Sequence, residues 1–444
     1  MTTLEWSVRS IRTALAEGKF NPSLLAEPIL GGSLQHSRTV YLWKNAAWTR
    51  SEAERADAMP RGEGGPFGDG RSALWGLPVS VKDCFDLAGA PTTVGVRFYA
   101  ELNGNAPRDS WLVEQLRAAG AVIVGKTHLH PLAYGITGEN PEFGDCTLPG
   151  QPGALTGGSS SGAVASVLQG SAVAAIGTDT GGSVRAPAAL GHVAGYRATL
   201  GRGDWRGGAH LAESFDTMGW LFRDIEDAPL LAAPFAPTNP PPVRPFKKFA
   251  VVSADFLYDC EPEIVANLEK IARMLEALGL ERRTFDPGWW SDSREIFAPI
   301  QAWEAARIHA GNFERVQPDI RERLEWGARI TPDEIAALRR RHEEFRKRMD
   351  ELFAMHELLL LPAIPVARLA AGADHSQTRP RLLRYTTPVS LAGAPAVTIP
   401  CAQGGLQLAA ARNEDESLLN LAAQLGATWR GKHNSAGQSE EISG

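Results

Sequence analysis

The sequence predicts an α/β protein whose strands pair at least partly in parallel, and three stretches carry that prediction. Leu77–Val81 is a short apolar run with β-branched residues, the pattern of a buried strand. Ser110–Gly120 reads as a helix that Gly120 stops, and Ala121–Val124 reads as a second buried strand directly after it. A helix feeding straight into a strand, after an earlier strand, is the order from which parallel sheets are built.

At 444 residues the chain exceeds an average domain, although large α/β enzymes run this long as one unit. With 43% hydrophobic and 22% charged residues it has the balance of an ordinary globular protein. A net charge of −6 gives no electrostatic reason to expect nucleic acid. The cysteines, Cys84, Cys146, Cys260 and Cys401, are too scattered for a metal motif or a disulfide framework, so free thiols in a reducing compartment are expected. No basic region followed by an apolar core opens the chain, and no apolar run reaches the roughly 18–20 residues of a membrane span. A cytoplasmic enzyme that binds no membrane is the expectation.

In chain order, residues 2–17 form an amphipathic helix, with Thr2 and Glu5 as a capping box and Leu4, Val8, Ile11 and Leu15 on the face packed against the body. Residues 51–58 give a short helix before a Gly-rich loop at 62–70. Lys82 closes the Leu77–Val81 strand and Lys126 ends the next; a lysine there ordinarily reaches for water, so surface charge is the expected role of Lys126. Asp83 reads as a strand-end cap. The Pro-rich segment Ala228–Pro245 is a connection between halves. Beyond it come a strand at Phe249–Val252, a helix at Pro262–Leu278 and a charged helical region, Trp289–Arg348, whose Arg339–Arg341 run faces solvent. Leu358–Leu361 is another buried strand, 396–400 and 406–410 a final strand pair, and Asp415–Leu425 a closing helix; the tail from about 431 is expected to be disordered.

Chemistry concentrates in residues 157–187, two Gly/Ser turns separated by a segment of small residues. Glycines permit close approach of the backbone to a ligand, and serines bring hydroxyls that attack or relay a proton. A phosphate-cradling loop lacks its following Gly-Lys-Ser/Thr. A nucleophile elbow fits Gly158–Gly162 with Ser160 at its centre, but it needs an acid and a histidine downstream; His192, His210, His309, His342, His356 and His375 supply candidates without context. A third reading joins Lys82, Ser159 and Ser183.

On that third reading the chain resembles the amidase signature family. The hallmark Gly-Gly-Ser-Ser turn stands at 157–160 and Gly-Thr-Asp-x-Gly-Gly-Ser-x-Arg-x-Pro at 177–187, with Gly-x-Pro-x-x-Val-Lys-Asp at 76–83. The similarity covers roughly residues 74–224, with weaker matches at the N-terminal helix and at 386–425. Segments Tyr134–Gly144 and Ser214–Trp220 resemble those of indole-3-acetamide hydrolases of plant type and their bacterial relatives.

The resemblance implies one α/β unit over residues 1–430, a large twisted mixed sheet covered by helices on both sides. Its catalytic core spans about 70–225 and a substrate-shaping half spans 246–430. It implies Ser183 as nucleophile, Ser159, in a cis peptide, as relay, and Lys82 as terminal base. The backbone N–H groups of Thr180, Gly181, Gly182 and Ser183 become the oxyanion donors. Ser160, Asp179 and Arg185 stand behind them, hydrogen-bonded so that the loops keep their shape, although an ordinary salt bridge explains Arg185 as well. A lysine can serve as base only when neutral, so its reference pKa of ~10.4 has to be depressed by burial or nearby positive charge. Ser-Lys pairs are a known alternative to Ser-His-Asp.

The implied reaction is hydrolysis of an amide, on a small-molecule substrate, by a monomer or homodimer needing neither metal nor cofactor. The rivals are an ammonia-producing amidotransferase subunit working on glutamine and a non-catalytic protein on the same fold. Trp205, Trp289, Trp290, Trp303 and Trp326 suit either an aromatic pocket or simple core packing, with packing the simpler account.

Overall fold

Eleven strands form one mixed sheet in the computed structural model, which describes residues 6–31, 39–60, 62–237 and 239–440. In chain order the first half holds helices α1 (Val8–Ala16), α2 (Pro22–Gly31) and α3 (Ala46–Asp57), with strand β1 (Tyr41–Trp43) before α3. Strand β2 (Pro78–Lys82), helices α4 (Arg97–Asn103) and α5 (Trp111–Ala118), and strand β3 (Val122–Thr127) follow. A separate hairpin, β4 (Thr147–Leu148) and β5 (Gln151–Leu155), leads to α6 (Ser161–Leu168), β6 (Ala174–Asp179), α7 (Arg185–Leu190), β7 (Ala194–Arg197) and β8 (Thr217–Phe222). The second half holds β9 (Lys248–Val252), α8 (Pro262–Ala277), β10 (Glu281–Phe285), α9 (Ser293–Ile308), α10 (Pro318–Arg329) and α11 (Pro332–His356). It closes with β11 (Leu358–Pro362), α12 (Thr378–Leu391), β12 (Ala396–Pro400), β13 (Gly405–Ala410) and α13 (Asp415–Glu440).

The strand order is β1-β3-β2-β6-β8-β7-β12-β13-β11-β9-β10. Strands β3, β2 and β6 run parallel, as do β11, β9 and β10, while the middle pairs are antiparallel. Every residue of β2, β3, β6, β7, β8, β11 and β13 is buried. Strands buried at successive residues must be covered on both faces, because neighbouring side chains point to opposite sides. The predicted strand pair at 396–400 and 406–410 is the antiparallel pair β12–β13.

Boundaries moved more than elements did. The first helix starts at Val8, where Ser7 and Ser10 cap each other; Thr2 and Glu5 lie outside the described residues. Its buried face, Val8, Ile11 and Leu15, packs on the body, and Asp227 accepts hydrogen bonds from the Val8 and Arg9 amides. Helix α3 begins five residues earlier than read, at Ala46, because Asn45 caps it by accepting from the Trp48 amide. The region from Trp289 divides into α9, α10 and α11, with Pro318 and Pro332 opening the last two. Arg339 and Arg341 are exposed on α11, as the charge pattern indicated.

The sheet order explains how distant motifs meet. Lys82 ends β2, and Asp179 ends the parallel neighbour β6. Both turns of the Gly/Ser stretch therefore sit at the same sheet edge as Lys82, at the carboxyl ends of the parallel strands, where open α/β sheets bind ligands.

Candidate active site

Lys82 is 0% exposed, and its Nζ lies 2.7 Å from Ser159 Oγ and 2.7 Å from Thr178 Oγ1. It forms no salt bridge among the described residues. Burial pushes its pKa down to about 8, against the opposing pull of Cys84, Asp216 and Asp179. The lysine one strand over has the opposite setting. Lys126 is also 0% exposed, but its Nζ pairs with Asp83 at 2.7 Å and donates to Thr92 Oγ1 and the Pro91 carbonyl. Surface charge is therefore the wrong role for Lys126. The register places Lys126 beside Val81 in β2, so it stays inside and takes Asp83 as counter-ion. Asp83 does cap, accepting from the Thr93 amide at 2.9 Å and from its hydroxyl, and it neutralises a buried cation as well.

Ser159 follows Gly158 through a cis peptide bond. Ser160 joins the two turns: its hydroxyl donates to the Thr178 carbonyl at 3.2 Å, and its amide donates to the Ser183 carbonyl at 3.3 Å. Its hydroxyl is thus a structural clasp, which removes it from the role the elbow pattern would give it. Gly177 makes room for that clasp, since a Cβ there would fall 2.7 Å from Ser160 Oγ.

The second turn is built on Asp179. Its carboxylate accepts from the amides of Gly182 (2.8 Å), Val184 (3.1 Å) and Arg185 (3.3 Å), and it pairs with Arg185 at 2.9 Å and Arg197 at 2.8 Å. Burial would raise this carboxyl, but the two guanidiniums and the hydrogen bonds outweigh burial and hold it well below the usual range. Arg185 does more than form a salt bridge, because it also donates to Gln407 Oε1, Ser390 Oγ and the Thr386 carbonyl, tying the loop to the second half of the sheet.

This wiring corrects one expected donor. The Gly182 N–H is committed to Asp179, which leaves the N–H groups of Thr180, Gly181 and Ser183 without a hydrogen-bond partner among the described residues. Asp216 steadies Thr180 by accepting from its hydroxyl at 2.6 Å, and takes further bonds from His210 Nδ1, Leu211 and Ala212.

Ser183 opens onto a narrow pocket walled by Tyr134, Ile136, Gly181, Leu211 and Leu383, with Gln301 and Arg379 among its polar side chains. None of the five tryptophans weighed from sequence lines it. Trp290 packs against Phe256 and Phe285, and Trp205 stacks on His210. Sequence reasoning also missed Thr178, Arg197, His128 and His130. Thr178 lies within the second motif, so its proximity to Lys82 had a signal. His128 bonds Ser161 Oγ through Nδ1, and His130 donates its amide to the Ser159 carbonyl; burial holds both rings neutral. Among the described residues no cluster of metal-ligating side chains occurs.

The amidase family model matches residues 42–419. The chain is 30% identical to an indoleacetamide hydrolase of Pseudomonas savastanoi, across 93% of this chain and 94% of that one. It is also 30% identical to a 2-amino-5-chloromuconic acid deaminase of Comamonas testosteroni, across 79% and 80% of the two chains. The crystal structure of an amidase, 29% identical, superposes with a TM-score of 0.83 and covers 95% of this chain and 100% of its own. With the three motifs gathered at one sheet edge, and similarity along nearly the whole length, the chain belongs to the amidase signature family of amide hydrolases.

Proposed function

We propose that this protein hydrolyses the C–N bond of a small carboxylic amide through an acyl-enzyme on Ser183. The observation that carries the reading is Lys82, fully buried, without a carboxylate partner among the described residues, and 2.7 Å from Ser159 Oγ. A neutral amine there donates one N–H to Thr178 Oγ1 and turns its lone pair to the Ser159 hydroxyl proton. Lys82 takes that proton as Ser159 takes the Ser183 proton, and Ser183 Oγ attacks the amide carbon. The oxygen gains negative charge facing the uncommitted N–H groups of Thr180, Gly181 and Ser183; one such donor is typically worth ~3 kcal/mol to the transition state. The proton returns through Ser159 to the leaving nitrogen, ammonia or amine departs, and water repeats the sequence on the ester to release the acid. Each proton transfer in this scheme runs through Ser159 and Lys82.

The pocket walls Leu211, Leu383, Ile136 and Tyr134 suit a small aryl or alkyl amide, indole-3-acetamide among them. In this reading residues 70–225 carry the chemistry and 246–430 shape the substrate, supplying Gln301, Arg379 and Leu383 to the pocket. Its cysteines are free thiols, which suits a cytoplasmic monomer or homodimer. The test is ammonia release from a panel of primary amides by the wild type, Ser183→Ala and Ser160→Ala. Turnover should vanish in S183A and persist in S160A; hydrolysis by S183A at the wild-type rate refutes the assignment.

A further inference from the structure

We infer that Arg379 is an anion-binding residue of the catalytic pocket and that the substrate is an amide that also carries a carboxylate, such as the monoamide of a dicarboxylic acid. The inference rests on the amidase reading and narrows its substrate class. Arg379 is the second residue of α12 and lines the same pocket as Ser183 and Gln301. Its Nε is shut off from solvent and has no hydrogen-bond partner, and its guanidinium forms no salt bridge among the described residues.

The fully buried arginines among the described residues are, by contrast, satisfied by carboxylates. Arg12 pairs with Asp69, Arg185 and Arg197 share Asp179, and Arg202 has Asp415 and Glu416. Near Arg379 the carboxylate of Asp319 is already bound by Arg323, Tyr134 offers only a phenol, and Arg323 and Arg294 add positive charge. Burial and the Arg323 cation push the Arg379 pKa down to about 10, so it keeps its charge at neutral pH. The same surplus of positive charge, added to burial, holds His130 neutral on the far side of Gly135. Arg379 is partly buried, with its Nε closed off and unpartnered; a guanidinium so placed without a counter-ion favours an anion, and its rigid fork matches a carboxylate in a bidentate pair. The substrate therefore completes the ion pair: its amide carbon reaches Ser183 while its carboxylate occupies Arg379, with Leu211 and Leu383 beside the chain between them.

The experiment compares kcat/KM for succinamate and glutaramate with that for butyramide and indole-3-acetamide, in the wild type, Arg379→Met and Arg379→Lys. Labelling of Ser183 by a small neutral fluorophosphonate confirms that each variant has an assembled site. The wild type should prefer an amido acid. In R379M the ratio of amido acid to neutral amide should fall by about 100-fold, and in R379K by less, because the charge remains but the fork is lost. Calorimetry supplies a readout that needs no turnover: Ser183→Ala should bind one of these amido acids and lose it when Arg379→Met is added. A wild type indifferent to the carboxylate, or a ratio that R379M leaves within about twofold, overturns the inference while the amidase reading stands. If no amide of either class is hydrolysed, the amidase reading falls instead, and calorimetry alone then decides: binding lost with Arg379 upholds the anion site, and absence of binding overturns it.

Discussion

Raising the pH from 7 to 9 should raise kcat/KM about tenfold and then bring it to a plateau. The perturbation acts on Lys82, whose pKa burial brings down to about 8. With that value the neutral fraction is about 0.09 at pH 7 and about 0.91 at pH 9, whereas a reference pKa of ~10.4 gives about a hundredfold rise with no plateau in that interval. The sign follows from the chemistry: the amine accepts a proton only when deprotonated, so activity grows as pH passes upward through the pKa. The assay is ammonia release below KM from pH 6 to 10, with the rate of fluorophosphonate labelling followed in parallel so that a step after acylation cannot mask the limb. Lys82→Met should remove the limb and cost about 10³-fold, within the range of a general base. A flat profile, a hundredfold climb still rising at pH 9, or a K82M variant with a tenth of wild-type activity would each refute the reasoning.

Three further substitutions follow from the same wiring. Asp179→Asn leaves Arg185 and Arg197, both 0% exposed, without their counter-charge. It should cost ~3–5 kcal/mol in urea unfolding, and a loss below ~1 kcal/mol contradicts the account. Gly182→Ala puts a Cβ 2.7 Å from Thr386 Oγ1 at a φ of +134°, so the oxyanion turn must shift. It should lower kcat by about 100-fold with a much smaller effect on the unfolding midpoint; wild-type kcat would show that the turn tolerates the clash. Asp83→Asn strands the buried Lys126 cation and should destabilise by ~3 kcal/mol. The double variant Asp83→Asn/Lys126→Met should recover part of that loss, and strict additivity of the two single effects would show that the pair is not coupled.

How much of this was legible depended on how local each feature is. The Gly/Ser turns, the strand before Lys82 and the helix stopped at Gly120 are set by neighbouring residues, and sequence placed them within a few positions. What Lys82 and Lys126 do is set by register, since each needs to know what the adjacent strand presents. Both end apolar strands, yet one meets two hydroxyls and the other a carboxylate, which is why Lys126 was misread as surface charge. Arg197 reaches Asp179 across the antiparallel pair of β7 and β8, and nothing near it in the chain announces that contact. Gln301 and Arg379 come from helices more than a hundred residues past Ser183 and meet it only when the sheet is assembled. The commitment of the Gly182 amide to Asp179 depends on a loop conformation that its glycine content permits but does not specify.

The most direct test of the central claim is the position of the covalent adduct. The enzyme is treated with a small fluorophosphonate, or rapidly quenched during turnover of a slow amide substrate, then digested and sequenced by mass spectrometry across residues 157–187. The account predicts the phosphonyl or acyl group on Ser183, formed at a rate that climbs as pH passes through about 8. An adduct on Ser159 or Ser160, or none on a chain that still releases ammonia, would contradict it.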